Sequence, residues 1–294
     1  MTIDLHAAAA FLTAHGRLLD RRRLGLVLGA GDPDGVLAAL DAYGNPDGGY
    51  GWGLEPDLRS TGSQPAAAMH ALEVLAEVGP VTTPRTVELC EWLERHTLAD
   101  GGLPFALPLE DPVGCAPFWV DADATTSSLM MTTQVAANAH LVARHDPAVA
   151  AHPWLARATA YCLDAIRRID RVPHAYELLF ALRFLDAVAG RVSAADGLLE
   201  QVGRSLPVGG SMRVEGGSEG EMLHPLDIAP HPDRPVRRLV ASDVIATDLD
   251  RLAGLQQPDG GWPVDFTAYS PAAALEWRGY ATVRAVEVLR RNAS

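Results

Sequence analysis

The sequence predicts an all-α fold, a single α/α toroid (barrel) of about six helical hairpins, on three observations. The tripeptide Asp-Gly-Gly occurs at Asp47-Gly48-Gly49, Asp100-Gly101-Gly102 and Asp259-Gly260-Gly261, with gaps of 53 and 159 residues, the second three times the first. A fixed period of about 50 residues marks stacked copies of one supersecondary unit. The flanks repeat as well: Asn45-Pro46 precedes the first copy and Gln257-Pro258 the third, and Tyr50-Gly51-Trp52 and Trp262-Pro263 follow them. Finally, the chain is rich in alanine and leucine, which favours helix, and no segment shows the alternation of a strand.

The elements follow from the same signals. Helical periodicity runs over about 4–22, 34–43, 64–78, 84–96, 126–145, 150–168, 173–189, 194–205, 243–256 and 270–292. Pro65, Pro84 and Pro271 fall near helix starts, where a missing N–H is harmless. Gly44, Gly79 and Gly190 follow helix ends. Each Asp of the repeat can bond its own backbone and open a turn, and the following glycines tolerate positive φ. The unit is therefore helix, glycine-rich turn, helix. Six such units fit the 294 residues as one domain, residues 1–294. They can close into a ring; an open superhelix is the alternative. Residues 206–242, rich in glycine, proline, histidine and charge, break the rhythm and read as a lid, a binding loop or a mobile linker.

Composition excludes several functions. The net charge of −13 and pI of about 5.1 argue against nucleic acid and anionic membrane surfaces. All 24 basic residues are arginine, which removes Schiff-base, P-loop and lysine-base chemistry. Cys90, Cys115 and Cys162 are scattered and suggest reduced thiols. The apolar run from Ala7 to Leu12 is too short for a signal peptide, and nothing approaches the roughly 20 apolar residues of a membrane span. A cytoplasmic protein is expected, its oligomeric state undetermined.

Leu255-Gln256-Gln257-Pro258-Asp259-Gly260-Gly261-Trp262 resembles the glutamine–tryptophan repeat of squalene–hopene cyclases, and Asn45 to Trp52 is a weaker copy. The resemblance is to the superfamily of terpenoid cyclases and protein prenyltransferases. It implies an α/α toroid in which Gln257, Trp52 and Trp262 tie hairpins together. It further implies a terpene-cyclase-like cyclase or isomerase acting on, or binding, an isoprenoid or other apolar small molecule. In Asp121-Ala122-Asp123-Ala124, similar to the Asp-x-Asp-Asp motif of class II cyclases, Asp123 takes the place of the proton donor and Asp121 supports it. Ala124 replaces the last Asp, so one carboxyl that would tune the acidity is missing. The alternative role for Asp121 or Asp123 is to cap the helix that begins near Thr125. No cofactor is implied, and Mg²⁺ is called for only if the substrate carries a diphosphate. The zinc site of protein prenyltransferases lacks its match, because no cysteine here has an Asp two residues before it.

Glu55, Asp57 and Arg59 lie on the loop after the first turn, and with Trp119 they are the candidate substrate-binding residues. Glu55 and Asp57 could also form an acid/base pair, and Arg59 a rim salt bridge. Two other readings stay open: a carbohydrate-active (α/α)-barrel enzyme using paired carboxylates, and a non-catalytic binding protein. His224, Asp227, His231 and Asp233 are residue types that bind metal, at a spacing that matches no defined site. His70, His140 and His174 fall within helices and read as packed or capping residues. The expected cavity is walled by Ala, Leu, Val and Met, with acids at one mouth.

Overall fold

Each predicted helix forms, and the residues at its ends explain its limits. In the computed structural model, which describes residues 3–169 and 173–293, the chain is all-α with one small hairpin of strands. The first predicted stretch divides at Gly16 into α1 (Leu5–His15) and α2 (Leu18–Val27). Gly16 turns to extended backbone, and a Cβ there would sit 2.7 Å from Leu12 Cδ2. Asp4 starts α1 by accepting from the Ala7 N–H at 2.9 Å. Then come α3 (Pro33–Asp41), α4 (Pro65–Glu77), α5 (Pro84–His96), α6 (Pro117–Val120), α7 (Leu129–Val142), α8 (Pro147–Ala150) and α9 (Pro153–Arg167). The series ends with α10 (Ala175–Val188), α11 (Ala195–Gly203), α12 (Pro225–Ile228), α13 (Ser242–Gly254) and α14 (Pro271–Asn292). Many of these helices open on proline, which loses no hydrogen bond in a first turn. The four-residue helices α6, α8 and α12 are too short to show a period and carry no signal of their own.

The helices differ in how much of their circumference is covered. In α10 ten of fourteen residues are buried, whereas α5 buries five of thirteen, on one stripe. α7 packs between α4 and α10, with α9 behind α7 and α11 behind α10. α14 packs on α1, α2 and α13, so the two ends of the chain meet. Gln256 Nε2 donates to the Asp4 carbonyl and Gln256 Oε1 accepts from the Asp4 N–H, each at 2.8 Å across 252 residues.

The three Asp-Gly-Gly turns have one geometry. The second glycine donates to the Asp Oδ1, at 2.9 Å for Asp47 and 3.1 Å for Asp100 and Asp259. Its carbonyl accepts from the N–H of Asn45, Leu98 or Gln257 at 2.8–2.9 Å. The first glycine has φ of +88°, +95° and +92° at Gly48, Gly101 and Gly260. Each lies on a helix backbone: an added Cβ would come within 2.9 Å of the Glu88 carbonyl oxygen in α5, 3.2 Å of that of Arg157 in α9, and 2.1 Å of that of Ala7 in α1. The third turn thus rests on the first helix.

Gly260→Ala is expected to destabilise the fold by about 2–4 kcal/mol, from left-handed strain plus the clash with α1. Gly29 has φ +77° and nothing within 4 Å of an added Cβ, so Gly29→Ala carries the strain without the clash. Urea unfolding of the two variants measures the difference; equal losses would mean that the contact on α1 is unimportant.

Residues 206–242 carry short elements of their own, and part of the segment packs on the helices. Strand β1 (Met212–Arg213) pairs antiparallel with β2 (Met222–Leu223). α12 follows, packed on α10 and α13, and then a 3₁₀ turn over Pro235–Leu239. Val214, Leu223, Leu226, Ile228 and Val236 from this segment are buried. Among the described residues no helix is long and apolar enough to cross a membrane.

Candidate functional site

The loop after the first turn carries two of the predicted carboxylates inward. Residues 53–58 are all buried, Glu55 and Asp57 at 5% exposure each. Glu55 Oε2 lies 2.9 Å from His70 Nε2, and its Oε1 accepts from the Asp57 N–H at 3.2 Å. Asp57 turns the other way, toward the C-terminal segment. It accepts from the Tyr269 N–H at 2.7 Å and from Trp277 Nε1 at 2.8 Å. Burial pushes its carboxyl up, against the pull of those two donors. Glu55 and Asp57 therefore serve different partners and do not act as a facing pair. Arg59 forms a two-pronged ion pair with Glu276 of α14, at 2.6 and 3.1 Å. Trp119 is buried and stacked on Phe105, with ring centroids 4.5 Å apart, and its indole N–H has no partner among the described residues.

Asp121 and Asp123 lie apart from this group, both exposed. Asp121 follows the end of α6. Asp123 accepts from the Thr125 N–H and from the Thr125 and Thr126 hydroxyls, at 2.6–2.8 Å. These donors hold its carboxyl down at about 2, so it is ionised at neutral pH. It braces a turn; the helix itself starts at Leu129, capped by Ser128.

Around Glu55 and His70 the helices converge on a charged interior. His70 lies between two carboxylates, with Nδ1 3.3 Å from Glu73 Oε2. A neutral imidazole can donate from one nitrogen only, so both contacts call for the imidazolium. Burial opposes that charge, but the hydrogen bonds and charges of Glu55 and Glu73 prevail and push the pKa up to about 9. Glu73 also accepts from the Tyr280 hydroxyl at 2.7 Å. Burial works against its ionisation, yet His70 and Arg23 hold it well below the usual carboxylate range. Arg23 grips Glu77 through two bonds of 2.7 and 2.6 Å, with Asp20 at 3.5 Å and Glu73 at 3.8 Å. Its guanidinium sits over the Tyr280 ring, 5.2 Å from the centroid. Trp277 completes an aromatic wall, with centroids 5.9 Å from His70, 5.6 Å from Tyr280 and 5.2 Å from Phe266.

The expectation of an interior walled by Ala, Leu, Val and Met is thus corrected: charged and aromatic side chains from α2, α4 and α14 meet there. The periodic signal was present but masked. His70, Glu73 and Glu77 share one face of α4, and Trp277, Tyr280 and Arg284 one face of α14. Both faces are embedded in alanine-rich helices, where such a stripe reads as solvent-facing. Of the other histidines, His174 caps α10 and His140 bonds Thr159 at 2.7 Å, as packed or capping residues do. His224 lies 3.2 Å from Asp265, and Asp227 faces Arg284. No group of three or more His, Cys, Asp and Glu able to hold a metal occurs among the described residues. Trp262 is buried and donates to the Leu252 carbonyl at 2.8 Å. Trp52, by contrast, is half exposed with φ +56°. Gln256 rather than Gln257 makes the tie to α1.

The sequence matches no protein-family model and no curated protein. Among solved structures it is similar to a protein from Actinoplanes, at 15% identity and a TM-score of 0.59 over 99% of this chain and 98% of that one. At that identity the similarity shows a shared fold and nothing of activity.

Proposed function

We propose that the chain is an α/α toroid of about six hairpins that binds an isoprenoid or other apolar small molecule in its interior. One observation carries this reading. The side chains of Glu73, Glu77 and Arg284 keep 24%, 23% and 27% of their exposure, although Arg23 of α2 and Tyr280 of α14 reach the two glutamates of α4. Charged groups that meet across helices and still keep access to water fit a recess between those helices. Trp277, Tyr280 and Phe266 offer an apolar ligand one wall of it. The third turn resting on α1 supports a closed ring over an open superhelix.

Binding is favoured over protonation because the interior acids are all engaged. Glu55 and Glu73 face His70, Glu77 faces Arg23, and both oxygens of Asp57 accept N–H bonds. A proton donor to an alkene must be neutral and aimed at the substrate.

The test is a panel of linear isoprenoid alcohols, followed by tryptophan fluorescence and thermal melting. Binding to the wild type should raise stability by about 2.7 kcal/mol at roughly 100 times Kd. Trp277→Ala should abolish that gain, whereas Asp123→Asn should keep it. If no alcohol binds, or Trp277→Ala binds as well as the wild type, the interior site is wrong. Cyclic product that vanishes in Asp123→Asn would make the protein a cyclase acting through Asp123 instead.

A further inference from the structure

Arg183 of α10 and Arg284 of α14 converge on one acceptor. Arg183 Nε and Nη2 donate to the Asp227 carbonyl at 3.1 and 2.8 Å, and Arg284 Nη2 reaches the same oxygen at 3.4 Å. Asp227 is the one carboxylate within ion-pair distance of either guanidinium among the described residues, at 3.3 Å from Arg284. Arg183 Nη1 and Arg284 Nε and Nη1 have no protein partner among the described residues. Two guanidiniums held beside one acceptor keep several N–H donors without a protein partner. Burial, and then the charge of Arg284, pull Arg183 down to about 10; burial opposes Arg284 as well, but Asp227, Tyr280 and Glu73 prevail and push it up. Arg183 also lies over the Phe180 ring, 5.7 Å from its centroid, and Phe180 stacks on Tyr176. A place for an anion thus adjoins an apolar surface.

We propose that Arg183 and Arg284 form a receptor for the oxyanion head, carboxylate or phosphate, of a ligand whose apolar body lies in the interior. The proposal rests on the interior-site reading above. The planar fork of a guanidinium matches a carboxylate or phosphate edge through two parallel bonds. An oxyanion between the two arginines would also relieve their mutual repulsion.

Calorimetric titration of the full chain at neutral pH tests it with three probes: inorganic phosphate, decanoate and decanol. Decanoate should bind more tightly than decanol. Arg183→Gln and Arg284→Gln should each weaken decanoate by about 10- to 100-fold, with decanol unchanged. Asp227→Asn keeps both arginines and removes the competing carboxylate, so it should tighten anion binding; it serves as the test if a glutamine variant fails to fold. Phosphate binding lost in the same variants would assign the head to a phosphate group, and its absence beside tight decanoate binding would assign it to a carboxylate. Equal affinity for decanol and decanoate would overturn the anion receptor and leave the interior site standing. Anion binding unchanged in both glutamine variants would do the same. Failure of all three probes would remove both.

Discussion

Arg23→Met is expected to destabilise the protein by about 2–4 kcal/mol, because it strands half-buried carboxylates that the buried guanidinium now compensates. Arg23 is 3% exposed and holds Glu77 through two bonds, with Asp20 and Glu73 also within 4 Å. Arg17 bonds Asp20 at 2.8 Å in any case, so the loss falls chiefly on Glu77 and Glu73. Burial already pushes the Glu77 carboxyl up against the pull of Arg23, and without that arginine it should rise further. The double variant Arg23→Met/Glu77→Gln should therefore recover a substantial part of the loss. Urea unfolding at neutral pH gives both values. A single variant within about 1 kcal/mol of the wild type would show that solvent, rather than Arg23, offsets the charge of these carboxylates.

The second large effect is a fall in stability on the alkaline side of neutrality. His70 has its folded pKa raised from 6.5 to about 9 by Glu55 and Glu73. The folded state therefore holds a proton that the unfolded chain has released. That stabilisation is fully present below pH 6.5 and is lost as pH rises through about 9. The full difference is about 3 kcal/mol. The groups facing the imidazole are Glu55, Glu73, Trp277 and Tyr280, and both carboxylates act to keep the proton. Half-buried His140 and His231, each pulled down to about 4 by desolvation and neighbouring arginines, act in the opposite direction and only below 6.5. The buried thiols weaken the fold only above about pH 8.5, the pKa of a free cysteine. His70→Gln should therefore abolish most of the decline between pH 6.5 and 8.5. A wild-type stability that stays flat across that interval would mean that His70 is neutral in the fold.

The sequence by itself determined the longer helices and the three turns. Both are local matters. A proline at a first turn, a side-chain cap and an apolar stripe act within a few residues. Asp47, Asp100 and Asp259 fold their turns through bonds two residues away, so the repeat was visible without any tertiary knowledge. The inward placement of Glu55 and Asp57 was legible in part, because they follow a fixed turn.

Only the tertiary structure decided which charges are buried. His70 meets Glu55 across 15 residues, Arg23 meets Glu77 across 54, and Tyr280 meets Glu73 across 207. An arginine or glutamate on an alanine-rich helix looks the same in sequence whether it faces water or a partner on another helix. The difference is the partner that cancels its charge, and folding supplies that partner from a distant part of the chain. Asp123 shows the converse. Its motif suggested a proton donor, but two neighbouring threonines and open solvent keep it an ionised surface carboxylate. Motif spacing records which residues are adjacent, whereas acidity follows from desolvation and from charges brought near by the fold.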